Sequence, residues 1–210
     1  ELLASGGIVA IKGLGGFHLA CDAANEQAMV ELRRRKRRSN KPLAVMVRSL
    51  ADTERLCHVD DAERGLLTGS IRPIVLLRRR AVGEGDSPDA PTLAPSVAHD
   101  LPELGVMLPY TPLQHLLLAA AAARGMHALV MTSGNLSEEP IETDDGLAWE
   151  HLVAAGIADA LLGNNRAILS RYDDSVVRVV DGTVMPVRRA RGYAPQPLSL
   201  PALNGTAPCV

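Results

Sequence analysis

Aromatic side chains are nearly missing from this sequence: Phe17, Tyr110, Trp149, Tyr172 and Tyr193 are the whole set in 210 residues. Its core must therefore be built from Leu, Val, Ile, Ala and Met. The platform of aromatic faces on which single-strand nucleic-acid binders stack bases is mostly absent. Cysteine is sparse too. Cys21, Cys57 and Cys209 stand far apart, with no C-x-x-C and no histidine at a zinc-site spacing, so we read no zinc site and a reducing, cytoplasmic setting. The longest uninterrupted apolar run, Leu116 to Ala123, is eight residues, far short of the roughly 20 that span a bilayer. No signal peptide is visible. The sequence opens at Glu1 without a methionine and closes in an irregular tail (Pro195, Pro197, Pro201, Gly205, Pro208), which reads as a module of a longer polypeptide.

What is present is a core-forming chain, 47% hydrophobic, long enough for one domain or two small lobes. Its charge is uneven. The run from Arg33 to Lys41 holds seven of the 22 cations in nine residues, leaving 15 cations to 24 carboxylates elsewhere, a net −9 outside the run against −2 for the whole. A positive focus in an otherwise acidic chain fits a polyanion held at one point, such as the phosphates of a small molecule. Cations in a last helical turn also complement the helix dipole without any ligand, and a basic run can be a nucleic-acid patch.

Taken in order, Ile8 to Lys12 reads as a buried strand entering a glycine-rich turn at Gly13, Gly15 and Gly16. The turn matches neither the dinucleotide fingerprint, since His18 replaces its last glycine, nor the phosphate loop, since no Gly-Lys-Ser/Thr follows. Ala23 to Arg38 reads as a helix capped by Asp22 or Asn25, with Ala28, Met29 and Leu32 inward. Strands follow at Leu43 to Val47, Ile74 to Leu77, Gly105 to Leu108 and Ala128 to Met131, with helices at Asp60 to Leu67, at Thr111-Pro112 to Arg124, and near Asp144 to Ala155. Residues 81–102 are expected to be a long loop. The strand ending at Met131 runs into Thr132-Ser133-Gly134-Asn135-Leu136-Ser137, which either holds an anion or forms an ordinary polar turn. Short strands are expected at Ala160 to Leu162 and Ile168-Leu169, and a hairpin at Val176 to Arg189 around Asp181-Gly182. The alternation points to an α/β fold.

The segment Lys12 to Ala23, the run Leu32 to Met46, Arg72 to Leu77, Gly105 to Leu118, Thr132 to Ile141, Asp173-Asp174-Ser175 and Arg188 to Pro195 together resemble the YrdC-like domain of HypF, the carbamoyltransferase family of nickel-iron hydrogenase maturation. They also resemble, more distantly, the threonylcarbamoyl-adenylate synthases, with K-x-R at Lys36-Arg37-Arg38 and S-x-N at Ser133-Gly134-Asn135. Gln114 departs from the pattern, standing where a histidine often precedes His115, as does Ser39 where proline commonly follows the K-x-R arginine. The resemblance implies a YrdC/RibB-like domain over residues 1–200, with a twisted, mixed, mostly parallel sheet, flanking helices and an open concave cavity. Residues 201–210 would be a linker.

It further implies formation of carbamoyl-adenylate from ATP and carbamoyl phosphate, for transfer to a cysteine of a HypE-like acceptor. Lys36 and Arg38 would clamp phosphate opposite Ser133 and Asn135, Ser175 and Arg188 would complete the nucleotide site, and Mg2+ would accompany the polyphosphate, with Asp173 or Asp174 as candidate ligands. Lys12 and His18, on the glycine turn, are candidates for the carbamoyl end, although a histidine at a strand end also packs as a structural residue. The alternatives are threonylcarbamoyl-adenylate synthesis for tRNA modification, a natural-product O-carbamoyltransferase module, and a nucleic-acid-binding module. No membrane association is expected.

Overall fold

A computed structural model describes residues 1–38, 41–81, 92–99, 101–136 and 139–197. Residues 201–210, Cys209 among them, Ser39, Ser137 and half of the expected loop at 81–102 lie outside the described residues. β1 (Val9–Lys12) turns through four residues into β2 (Phe17–Asp22), and α1 (Glu26–Lys36) follows. Asn25 caps α1, its side chain accepting a hydrogen bond from the Ala28 N–H at 3.0 Å. β3 (Val45–Val47), α2 (Leu50–Leu56), α3 (Asp61–Thr68), β4 (Ile74–Arg78) and β5 (Glu103–Met107) come next. α4 (Pro112–Ala122), β6 (Ala128–Ser133) and α5 (Asp145–Ala148), which continues as a π turn over Trp149–Ala154, lead to β7 (Ala160–Leu162). The hairpin of β8 (Val176–Val180) and β9 (Thr183–Arg188) completes the order.

The strands form one sheet in the order β7-β1-β2-β6-β3-β5-β4-β8-β9. Side chains alternate across it. Ala10, Leu19, Cys21, Val45, Val47 and Val130 face one core, shared with Ala28, Met29 and Leu32 of α1 and with Leu152. Val9, Ile11, Ala20, Met46, Leu129 and Met131 face a second, closed by Leu118 and Ala121 of α4. Both faces are thus buried, which is why all four residues of β1 are buried rather than every second one.

The mixed sheet with flanking helices is as expected, but its predominant direction is not: five of the described pairings are antiparallel and three, β1 with β7, β3 with β5 and β4 with β8, are parallel. The four-residue turn between β1 and β2 is too short for a crossover and forces an antiparallel hairpin. Ile168-Leu169 forms no strand, and Leu169 is left exposed. Gln114 closes a capping box with Thr111, its Oε1 accepting from the Tyr110 and Thr111 amides, so the departure from histidine serves the start of α4. Among the described residues no helix is long and apolar enough to cross a membrane.

Candidate active site

The basic run is divided by helical geometry. Met29, Leu32, Arg33 and Lys36 lie at i, i+3, i+4 and i+7, and all four are buried on the inner face of α1. Arg33 spends its guanidinium on the carbonyls of Ser96, Arg38 and Lys41 and so ties down the chain after the helix. Arg34 and Arg35 point outward and are matched by Glu31 and, for Arg35, Asp159. Arg37 adopts a left-handed conformation (φ 53°) that ends α1 and turns Arg38 towards the cavity reached by Lys36. The run is therefore not one cationic face, and only Lys36, Arg38 and Lys41 reach a cavity of about 490 Å³.

Lys36 is 1% exposed. Its ammonium donates to the Ser133 carbonyl at 2.5 Å and to the carbonyl and Oδ1 of Asn135, both at 2.6 Å. Ser133 Oγ donates to the same Oδ1 at 2.7 Å. Gly134, between them, gives its N–H to the Phe17 carbonyl, and a Cβ there would come within 2.7 Å of that oxygen. Glycine thus lets the end of β6 press onto β2, where Ser133 pairs with His18.

Burial, then the nearby Arg38 cation, pushes the Lys36 amine down from 10.5 to about 7, with Asp173 opposing. The three oxygens around Nζ favour the ammonium, and an arriving polyphosphate would favour it further. Because the unfolded lysine keeps its proton up to about 10.5 while the folded one loses it near 7, the ligand-free protein is expected to gain stability as pH rises through that window. Chemical denaturation across this range checks the slope, which Lys36→Met should flatten.

Arg38 donates to the Pro42 carbonyl at 3.0 Å, while its buried Nε has no partner among the described residues. Burial and the charges of Arg33 and Arg188 depress its pKa, so its cation is short of counter-charge. Arg188 reaches the cavity from the end of β9. The sequence-predicted residues Lys36, Arg38, Ser133, Asn135, His18 and Arg188 thus share one hollow.

Lys12 and Ser175 do not line it. Lys12 is buried against Asp145, at 2.6 Å, and the Asn164 carbonyl. Ser175 is fully buried, donating to the Arg191 carbonyl and accepting from the Ala190 amide. Asp174 also departs from expectation: its carboxylate is committed to His18 Nε2 (3.1 Å), Tyr110 Oη (3.3 Å) and Arg191 Nε (2.8 Å), which leaves it unsuited to hold a metal. Burial opposes its ionisation, but hydrogen bonds from His18 and Arg191 and the Arg191 guanidinium charge prevail and hold the carboxyl below the usual carboxylate range. Arg191 also lies over the Tyr110 ring, 3.6 Å from its centroid, and donates to the Ile71 and Arg72 carbonyls. Sequence reasoning missed Tyr110 and Arg191. No spacing in the sequence signals either, because both reach Asp174 only through the fold.

The family profile for Sua5/YciO/YrdC, described as "Telomere recombination", matches residues 1–190. Carbamoyltransferase HypF2 of Cupriavidus necator is 50% identical, covering 94% of this chain and 25% of its own length. Carbamoyltransferase HypF of Rhodobacter capsulatus is also 50% identical, with 98% and 25% covered. The chain spans about a quarter of the length of these relatives. Among solved structures, full-length HypF in its phosphate- and nucleotide-bound form superposes with a TM-score of 0.83 at 48% identity, covering 93% of this chain and 29% of that one. P. abyssi Sua5 complexed with L-threonine shares the fold, with a TM-score of 0.71 at 16% identity, covering 90% of this chain and 52% of that one.

Proposed function

From the premise that the chain belongs to the Sua5/YciO/YrdC family, whose profile spans residues 1–190, we propose that its cavity binds ATP and forms carbamoyl-adenylate. The observation that carries this reading is the convergence of Lys36, Arg38 and Arg188, drawn from two separated segments, on one hollow whose apolar floor includes Ala44, Ile74, Leu76 and Met131. Three cations suit a triphosphate, and the floor suits an adenine ring. A relative at 48% identity, described in a phosphate- and nucleotide-bound form, supports the same assignment.

In the step proposed, a carbamate oxygen attacks the α-phosphorus, a new P–O bond forms as the bond to the β-phosphate oxygen breaks, and pyrophosphate leaves. Carbamoyl phosphate supplies carbamate on reaction with water, releasing inorganic phosphate. Lys36 and Arg38 take up the charge that grows on the phosphoryl oxygens, while the Ser133 and Asn135 oxygens hold Lys36 in place for it. Magnesium would arrive with the triphosphate. Among the described residues no cluster of three His, Cys, Asp or Glu is placed to hold a metal, and Asp174 is already occupied. We place the reaction in the cytoplasm, within a longer polypeptide that passes the carbamoyl group to a partner cysteine on a HypE-like acceptor.

Labelled pyrophosphate exchange into ATP tests the reading. Exchange should require carbamoyl phosphate or ammonium carbamate and should not be supported by threonine with bicarbonate. Exchange with threonine and bicarbonate instead would assign the site to threonylcarbamoyl-adenylate synthesis.

A further inference from the structure

Beside the proposed phosphate clamp, across the strand pair from Ser133, His18 is held by a buried chain of donors and acceptors. His18 side-chain exposure is 10% and that of Asp174 is 7%. An ionised carboxylate carries no proton, so the 3.1 Å contact between His18 Nε2 and Asp174 Oδ2 requires the hydrogen to sit on Nε2. Asp174 is kept ionised and immobile by Arg191 on its other oxygen and by the Tyr110 hydroxyl. Arg191 is fixed in turn by the Ile71 and Arg72 carbonyls, both at 2.8 Å, and by the Tyr110 ring beneath it. Every member of this set but His18 is spent on protein partners.

His18 alone turns its ring to the cavity, and among the described residues its Nδ1 has no hydrogen-bond partner. With the proton fixed on Nε2, a neutral ring offers a lone pair at Nδ1. We infer that Asp174 is a positioning residue that locks His18 in the Nε2–H tautomer, so that Nδ1 accepts a hydrogen bond from the amino group of the nucleophile and selects an N–H-bearing carbamate over a simple carboxylate, such as acetate, that carries no donor. The inference rests on the carbamoyl reading for the identity of that nucleophile, but the tautomer does not. A site built to pair an N–H rejects an analogue that lacks it, because its acceptor is then left unpaired.

The test combines a spectroscopic and a kinetic measurement. In protein labelled with 15N-histidine, at a pH well above the ordinary imidazole range, the resonances of His18, assigned by their loss in His18→Gln, should show a protonated Nε2 and a bare Nδ1. Asp174→Asn presents an amide that can donate to Nε2 instead, so the Nδ1–H form should gain population. In pyrophosphate exchange, the same variant should raise the apparent KM for carbamate roughly tenfold, while the Kd for ATP moves less than about twofold. A proton on Nδ1 in the unaltered protein would overturn the proposal without any variant or substrate. So would an Asp174→Asn protein in which ATP affinity falls as far as carbamate affinity, because a merely structural role predicts that. A protein with no carbamate-dependent exchange, yet with the expected tautomer and its response to Asp174→Asn, would remove the carbamate selection together with the carbamoyl reading and leave the positioning role standing.

Discussion

Lys36→Ala is expected to lower carbamate-dependent pyrophosphate exchange by two to three orders of magnitude while leaving a folded protein. Truncating one partner of a buried, charge-assisted contact costs about 2–5 kcal/mol, and about 1.4 kcal/mol corresponds to a factor of ten in rate. Lys36 reaches Ser133 and Asn135 from the last residue of α1, so nothing else on the helix can take its place. The fold should tolerate the loss because the buried ammonium is itself disfavoured: burial and Arg38 already push its pKa down to about 7. Lys36→Met keeps most of the volume and serves as the control for packing. Exchange at the unaltered rate in both variants would remove Lys36 from the site, and loss of cooperative unfolding in both would make its role structural.

The largest stability effect is expected at Arg191→Leu. This guanidinium is the strong partner of a carboxylate whose side chain is 7% exposed, and removing one member of a buried pair leaves an uncompensated charge at a cost of about 3–5 kcal/mol. The leucine also abandons the Ile71 and Arg72 carbonyls and the face of Tyr110. In a chain of this size the midpoint of thermal unfolding should fall by about 10 °C. Adding Asp174→Asn to Arg191→Leu should recover part of the loss by taking away the stranded charge. If the double variant is as unstable as the sum of the singles, the two residues do not act as a pair.

Much of the frame was legible because local chemistry announced it. Thr111-Pro112 marks the start of α4, Asp181-Gly182 the turn of the last hairpin, and Asn25 the cap of α1. The convergence of Lys36, Arg38, Ser133 and Asn135, the proposed phosphate clamp, was legible in part: their segments lie far apart in sequence but meet in one hollow. β2 was not. Phe17 to Asp22 is buried on both faces, so it lacks the alternation that marks a half-exposed strand, and its glycine turn reads as a ligand loop until it is seen as a tight hairpin. That omission hid two of the five antiparallel pairings. The inward and outward members of the basic run could have been separated in advance, since counting three, four and seven residues from Met29 selects Leu32, Arg33 and Lys36. The buried set around Asp174 could not. Tyr110, Asp174 and Arg191 are brought together by strand order and by the return of the chain after β9, and no spacing in the sequence records either.

The most direct test of adenylation in this cavity is identification of the product by mass spectrometry after incubation with ATP, magnesium and carbamoyl phosphate or ammonium carbamate, with the Lys36→Met protein in parallel. The account predicts carbamoyl-adenylate and pyrophosphate in the first reaction and neither in the second. An unaltered protein that leaves ATP intact, or a Lys36→Met protein that forms the adenylate equally well, would contradict it.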